Sequence, residues 1–420
     1  MRDASTTTLV VNALVGPGHM NPLVSLCCEA LDRGLAAKFI VGEPNESDVR
    51  KLFGRDVEDV LVVVDDPSDF DELVEITRAS NYQLRVVDFN SSREAPIEAA
   101  TREIMARAPG PVAGVADFMS LAAARAWRRL GVPYYVSMPG PPTILGLMGC
   151  DVPLSGEEWI GYLMMKLSST AAFRSEQLGI ALREMYAHCV GVFCSSIDPS
   201  ILESSWSCFR TKMPSKVHLI RTFAAYEKPV DESVVAPFFL GDAEEEKPII
   251  LVSFGTLWVH SLTVHGTREL YKGLRRGKDE WRVVWKVSER QIFDEAVGDQ
   301  EEEEDWLMVV DWIPQLALLK SPRVACFLNH CGWNGLTEAF ATATPVLAAP
   351  IGGDQPVNSV FAAKLGVAAV LDSADRNAGI MAVPALPRVR EEERFDEREV
   401  YAKLKQILDP QSSYRLFFLR

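Results

Sequence analysis

The run WIPQLALLKSPRVACFLNHCGWNGLTEAFATATPVLAAPIGGDQ, residues 312–355, is dense in groups that can hold a polar ligand. Trp312 offers an aromatic face for stacking, with backbone groups near Ile313 beside it. Glu338 is a carboxylate able to accept two hydroxyl donors of a diol. His330-Cys331-Gly332-Trp333-Asn334-Gly335 leads into the helical-looking GLTEAFATA, so its backbone N–H groups would lie at a helix N-terminus, where anions bind. Asp354 and Gln355 end the run with a carboxylate and an amide suited to hydroxyls. Each has a plain structural alternative when taken alone: Trp312 as a core aromatic, Glu338 as a solvated helix face, Asp354-Gln355 as a polar loop.

A second group lies near the start of the chain. Thr8 to Leu14 is an apolar, β-branched run fit for a buried parallel strand. Pro22 opens an apolar-periodic stretch that ends before Gly34, so a helix is expected from Pro22. Val15 to Asn21 is then a strand-to-helix loop, where open α/β sheets bind ligands. It contains His19, whose imidazole titrates near neutrality and can take a proton from a hydroxyl. It also contains Gly16-x-Gly18, a fragment of a dinucleotide motif with Asn21 at the third glycine position and Glu43, near the end of the next strand-like run AAKFIV, in the place of the ribose acid. That would suit a nicotinamide-dependent oxidoreductase but leaves residues 312–355 unexplained. A strand-like VAGVA ends at Asp117, which can orient an imidazole or cap the next helix. In the second half, ILVS runs into Ser253-Phe254-Gly255-Thr256, where Gly255 permits close approach of a phosphate and Thr256 offers a hydroxyl.

In order and length, residues 312–355 resemble the nucleotide-sugar signature of the plant-type and animal UDP-dependent glycosyltransferases. Gly18-His19-Met20-Asn21-Pro22 matches the family's Gly-His-x-Asn-Pro motif. The resemblance implies His19 as catalytic base with Asp117 behind it. It implies donor contacts from Ser253, Gly255, Thr256, Trp312, Ile313, Gln315, His330, Gly332, Trp333, Asn334, Gly335, Glu338, Asp354 and Gln355. Trp312 would stack on uracil, Glu338 would hold the ribose diol, and residues 330–335 would meet the diphosphate. In the family, Gln at the closing position goes with glucose-type donors and His with galactose. Three positions depart from the pattern: Ser321 stands where most members have His, Ala343 where they have Gly, and Gly335 where the plant type has Ser. The last leaves the diphosphate to backbone N–H groups and His330. The implied fold is α/β, two Rossmann-like domains facing a central cleft in the GT-B arrangement. The implied activity is inverting transfer of a sugar from UDP to a small lipophilic hydroxyl acceptor, with no metal and no cofactor beyond the UDP-sugar. The alternative is a UDP-sugar-binding protein without transfer activity.

Composition bounds the rest. The chain has 420 residues, enough for two domains with real cores. A formal net charge of −15 argues against nucleic acid or an anionic membrane as partner, and means that an anionic donor must be held by local dipoles. No stretch reaches the ~18 apolar residues of a membrane span. MRDASTTT enters the first strand without a signal-peptide core. The eight cysteines form no CxxC pair, so a cytoplasmic protein is expected.

Strand-like segments at 36–41, 60–64, 112–116 and 133–137 alternate with helical ones, the pattern of a parallel sheet flanked by helices. Val190 to Ser196 reads as the last strand of the first domain. Between residues 138 and 186, Trp159, Met164, Met165 and Phe173 suit either an acceptor pocket or a core. Domains are expected at 1–237 and 249–420, joined by a linker at 238–248 in which GDAEEEKP interrupts the hydrophobic pattern. QEEEED at 300–305 reads as a solvated loop. After EREVYAKLKQIL only a short tail follows, so the helix with which family members close back onto the first domain is either very short or cut off.

Overall fold

The computed structural model describes residues 7–14, 16–66, 71–72, 75–76, 82–138, 140–141, 177–196, 200, 202–203, 213–221, 232–239, 247–255, 262–298, 305–352, 354–377 and 395–416. Thr256, Trp159, Met164, Met165 and Phe173 lie outside these. The chain forms two compact units, Met1–Ala225 and Tyr226–Arg420. The expected linker at 238–248 falls inside the second of these, and 240–246 is outside the described residues.

The first unit is built on a seven-stranded parallel sheet of order β3-β2-β1-β4-β5-β6-β7. Its strands are β1 (Thr8–Asn12), β2 (Ala36–Gly42), β3 (Leu61–Val64), β4 (Val112–Asp117), β5 (Tyr134–Met138), β6 (Gly191–Ser196) and β7 (Val217–Arg221). Helices α1 (Pro17–Asp32), α2 (Glu46–Phe53), α3 (Tyr82–Arg107), α4 (Leu121–Leu130) and α5 (Gln177–His188) connect them. The central strands are apolar and almost wholly buried, as strands covered on both faces must be. The order reverses between β1 and β4, whose Asn12 and Ala116 are paired. Ligands in open α/β sheets bind at the carboxyl ends of strands at such a switch point.

Two expectations are corrected here. Helix α1 begins at Pro17, not Pro22, which lies inside it. Gly16 takes φ 119°, a left-handed turn that glycine adopts freely, and Pro17 has the φ a first helical residue needs. Pro22 removes only the bond back to residue 18. His19 therefore sits in the first helical turn rather than in a loop. Second, β6 is not the last strand, because β7 pairs with it in parallel at the sheet edge. VHLIR has an exposed His218 at its second position, which an edge strand tolerates and which hid it as a strand.

The second unit repeats the plan with six parallel strands of order β10-β9-β8-β11-β12-β13. They are β8 (Ile249–Ser253), β9 (Arg282–Lys286), β10 (Leu307–Val310), β11 (Val324–Asn329), β12 (Val346–Ala348) and β13 (Ala368–Val370). After a single turn at Glu232–Val235, its helices are α6 (Val264–Arg275), α7 (Arg290–Val297), α8 (Gln315–Leu319), α9 (Trp333–Thr342), α10 (Gln355–Lys364), α11 (Asp372–Asn377), α12 (Glu397–Leu408) and α13 (Ser413–Leu416). The switch point lies between β8 and β11, where Asn329 pairs with Ser253. Trp281, Trp285, Phe293 and Trp306 fill the core on one side, and α12 adds Val400, Leu404 and Ile407. No helix among the described residues is long and apolar enough to cross a membrane.

Candidate functional site

The first turn of α1, which follows β1, and the end of β4 bring His19 and Asp117 to one place, although 98 positions separate them. His19 Nδ1 lies 3.0 Å from Asp117 Oδ1; the aspartate side chain is 1% exposed and the imidazole 19%. Asp117 Oδ1 also accepts the Met119 backbone N–H at 2.9 Å, which fixes the carboxylate in a turn. The capping position of α4 is held by Ser120, so Asp117 is not that helix's N-cap. A carboxylate at this distance takes the proton of Nδ1 as a hydrogen bond, so the neutral ring carries its lone pair on Nε2. The Phe118 ring stacks on the imidazole with centroids 5.6 Å apart and planes at 27°.

Buried polar groups that the sequence did not flag hold this pair in place. Asn12 donates to the Ile40 carbonyl at 3.0 Å, and its amide oxygen accepts from the Ser120 hydroxyl. The end of β1 is thus tied to the turn that carries Asp117. On α3, Arg93 pairs with Asp66 at 2.7 Å, both 2% exposed, and reaches the Ala13 carbonyl at 3.4 Å. Their signal is weak in sequence: each is one polar residue beside an apolar run, and its partner is remote.

In the second unit, the loops after β8 and β11 are joined by Asn329. Its Nδ2 donates to the Ser253 carbonyl at 2.8 Å, and its Oδ1 accepts the Cys331 N–H at 2.7 Å. Cys331 adopts φ 66°, unusual for a residue with a Cβ, and this turn leads the chain into α9. The His330 ring lies between two glycines. A Cβ on Gly255 would come within 2.8 Å of it, and one on Gly332 within 2.6 Å. Burial, followed by the charge of Lys286, lowers the His330 pKa to about 3, so the ring is neutral at physiological pH. Gly335 is crowded as well, with a Cβ there meeting Asn329 at 3.2 Å. Ala343 ends α9 in the left-handed conformation at φ 56°, which accounts for the Gly expected at that position.

The remaining residues fall into three situations. Trp312 is 64% exposed, the most exposed large apolar side chain among the described residues, while Ile313 beside it is buried. Trp333 is 4% exposed and packs on Phe340 and Phe361, so only its backbone faces the start of α9. Gln315 donates to Glu338 Oε2 at 2.6 Å; burial raises the Glu338 pKa to about 7 against the lowering effect of that bond. Gln355 is 1% exposed, and its Oε1 accepts the N–H groups of Ile351 at 2.8 Å and Gly352 at 3.0 Å. Its NH2 is thereby fixed as the end left to donate. Asp354 accepts from Asn358 at 2.6 Å, and Asn358 also donates to the Cys331 carbonyl at 3.0 Å, linking α10 to the turn before α9. Ser253 Oγ is buried without a hydrogen-bond partner. Asn334 is half-buried in the first turn of α9.

Comparison with known proteins bears on both units. Residues 199–389 match the profile of the UDP-glucoronosyl and UDP-glucosyl transferase family. UDP-glycosyltransferase 74C1 of Arabidopsis thaliana is 32% identical over 181 residues, 42% of this chain and 38% of that protein. UDP-glycosyltransferase CGT of Oryza sativa subsp. indica is 35% identical over 141 residues, 31% of this chain and 29% of the relative. The chain thus spans less than half the length of these curated relatives. Among solved structures, Medicago truncatula UGT71G1 complexed with UDP-glucose superposes with a TM-score of 0.75 at 18% identity. That likeness covers 100% of this chain and 94% of the other. Os79 from O. sativa in complex with UDP gives 0.69 at 16% identity, covering 98% and 94%. Residues 199–389 thus resemble the UDP-glucoronosyl and UDP-glucosyl transferase family, and the two parallel α/β sheets share the GT-B type of fold of these solved structures.

Proposed function

We propose that the chain is an inverting glycosyltransferase that moves a sugar, preferentially glucose, from UDP to a hydroxyl of a small lipophilic acceptor. The observation that carries this reading is the His19–Asp117 pair, in which the carboxylate at Nδ1 orients a partly exposed imidazole with its lone pair on Nε2, the atom that would act as base. The acceptor hydroxyl gives its proton to Nε2 as its oxygen bonds to the anomeric carbon. The bond from that carbon to the UDP oxygen breaks on the opposite face, which inverts the configuration. Asp117 stabilises the imidazolium that results.

On the donor side, Trp312 presents its open face to uracil and Glu338 takes the ribose diol. The backbone N–H groups of residues 332–335 and His330 receive the diphosphate. Asp354 accepts from sugar hydroxyls, while Gln355 donates its NH2 to one, which supports discrimination at C4 between glucose and galactose. The free cysteines among the described residues fit a reducing compartment such as the cytosol.

The test is incubation with UDP-glucose or UDP-galactose and a panel of phenols and alcohols, reading UDP release and the anomeric configuration of the product by NMR. Inverted glucoside formed in preference to galactoside is expected. Binding of UDP without product from any acceptor would replace this reading with that of a UDP-sugar-binding protein.

A further inference from the structure

Lys286 is the last residue of β9, at the carboxyl edge of the second sheet beside β8. Its Nζ donates to the Gly255 carbonyl at 3.2 Å, in the loop where Gly255 turns at φ 73°. Among the described residues no carboxylate pairs with this ammonium. Partial burial lowers its pKa, as expected of a cation drawn partly out of water with no carboxylate beside it. Its field reaches His330, whose ring is wedged between Gly255 and Gly332 and whose buried Nδ1 has no hydrogen-bond partner. Helix α9 starts three residues further on, at Trp333.

These groups have one electrostatic character. A half-buried ammonium, a neutral imidazole and the positive end of a helix gather around the Gly255 loop of a chain whose net charge is −15. Such an arrangement is costly when empty and is relieved by a multiply charged anion.

We propose that Lys286 is a diphosphate-binding residue whose ammonium neutralises the phosphates of the nucleotide donor and of the departing UDP. The inference rests on the UDP-sugar reading above and supplies the side-chain cation that reading lacked. It also offsets the hydroxyl lost at Gly335. Charge on the UDP oxygen grows as the glycosidic bond breaks, so a fixed cation there favours the transition state.

The experiment is calorimetry of UDP and of uridine on the wild-type chain, Lys286→Met and Lys286→Arg. Uridine has the base and ribose but no phosphate. Removing one partner of a buried charge pair should weaken UDP by about 30-fold or more in Lys286→Met. Uridine affinity should stay within about twofold, which also reports an intact fold, and Lys286→Arg should recover most of the loss. Unchanged UDP affinity in Lys286→Met would overturn the proposal, as would equal losses for UDP and uridine. A wild-type chain that bound neither ligand would overturn the donor reading itself.

Discussion

At the scale of single residues, the chemistry divides between a base that must be free and a carboxyl that must be charged. A positioned general base contributes about 10²–10⁴-fold. His19→Ala should therefore lower turnover on an unactivated alcohol by that order while UDP affinity holds. The loss should be smaller for an acidic phenol, which ionises in part without help. Asp117→Asn should slow transfer too, since an amide cannot stabilise the imidazolium; full alcohol turnover in His19→Ala would remove the base from the mechanism. Glu338 makes a pH prediction. Its folded pKa, about 7, lies above the ordinary carboxyl value, because burial penalises the charge more than the Gln315 bond relieves it. The fold therefore binds this proton more tightly than the unfolded chain does, and Glu338 subtracts stability as pH rises from the usual carboxyl range through 7. Ribose needs the ionised form as acceptor, so binding has the opposite slope. Uridine, with no phosphate titrating in this range, should bind about tenfold more tightly at pH 8 than at pH 6. A flat profile in the wild type would detach Glu338 from the ribose, and Glu338→Gln should give one.

At the scale of elements, close approach decides the sign of a substitution. Helices α6 and α12 pack so tightly at Gly273 that a Cβ there would lie 2.6 Å from Val400 Cβ and 2.9 Å from the Glu397 carbonyl. In an open helix, Gly→Ala stabilises by about 1 kcal/mol. Here the overlap should reverse that, with overpacking costing about 1–3 kcal/mol. Thermal unfolding of Gly273→Ala should show a lower Tm; a higher one would mean the helices do not meet at this contact. The same scale shows what the sequence could disclose. Strands β1, β2, β4, β5 and β8 were legible because both faces are covered and the residues run apolar. Residues 312–355 stood out because their types and order are contiguous, and the fold brings His19 and Asp117 within 3.0 Å of each other across 98 positions. Three things were not. The start of α1 was ambiguous between two prolines, and Gly16 settled it through a backbone angle that no pattern displays. Strand β7 was masked by polar residues that an edge position permits. Asn329, Asn358, Arg93 and Lys286 act through partners on other strands and loops, so nothing in their local sequence marks them.

At the scale of the whole molecule, two units repeat one device, a parallel sheet whose order reverses at a central pair of strands. In the first unit the reversal between β1 and β4 carries His19 and Asp117; in the second, the one between β8 and β11 carries Ser253, Gly255 and His330. Proposed chemistry and proposed donor binding are thereby separated by unit, and so should be their thermodynamics. A ligand that binds only the native state stabilises it by RT ln(1 + [L]/Kd), about 2.7 kcal/mol at a hundredfold excess over Kd. That corresponds to about a hundredfold slowing for amides that exchange through opening of the binding unit. With saturating UDP, hydrogen exchange should slow in residues 249–255, 329–342 and 351–364, while β2, β3 and α2 of the first unit keep their unliganded rates. Stacking of a base on an aromatic is worth roughly 1–3 kcal/mol, so Trp312→Ala at the same UDP concentration should lose much of this protection. Protection spread equally over both sheets, or unchanged in Trp312→Ala, would show that UDP is not held where the second sheet reverses.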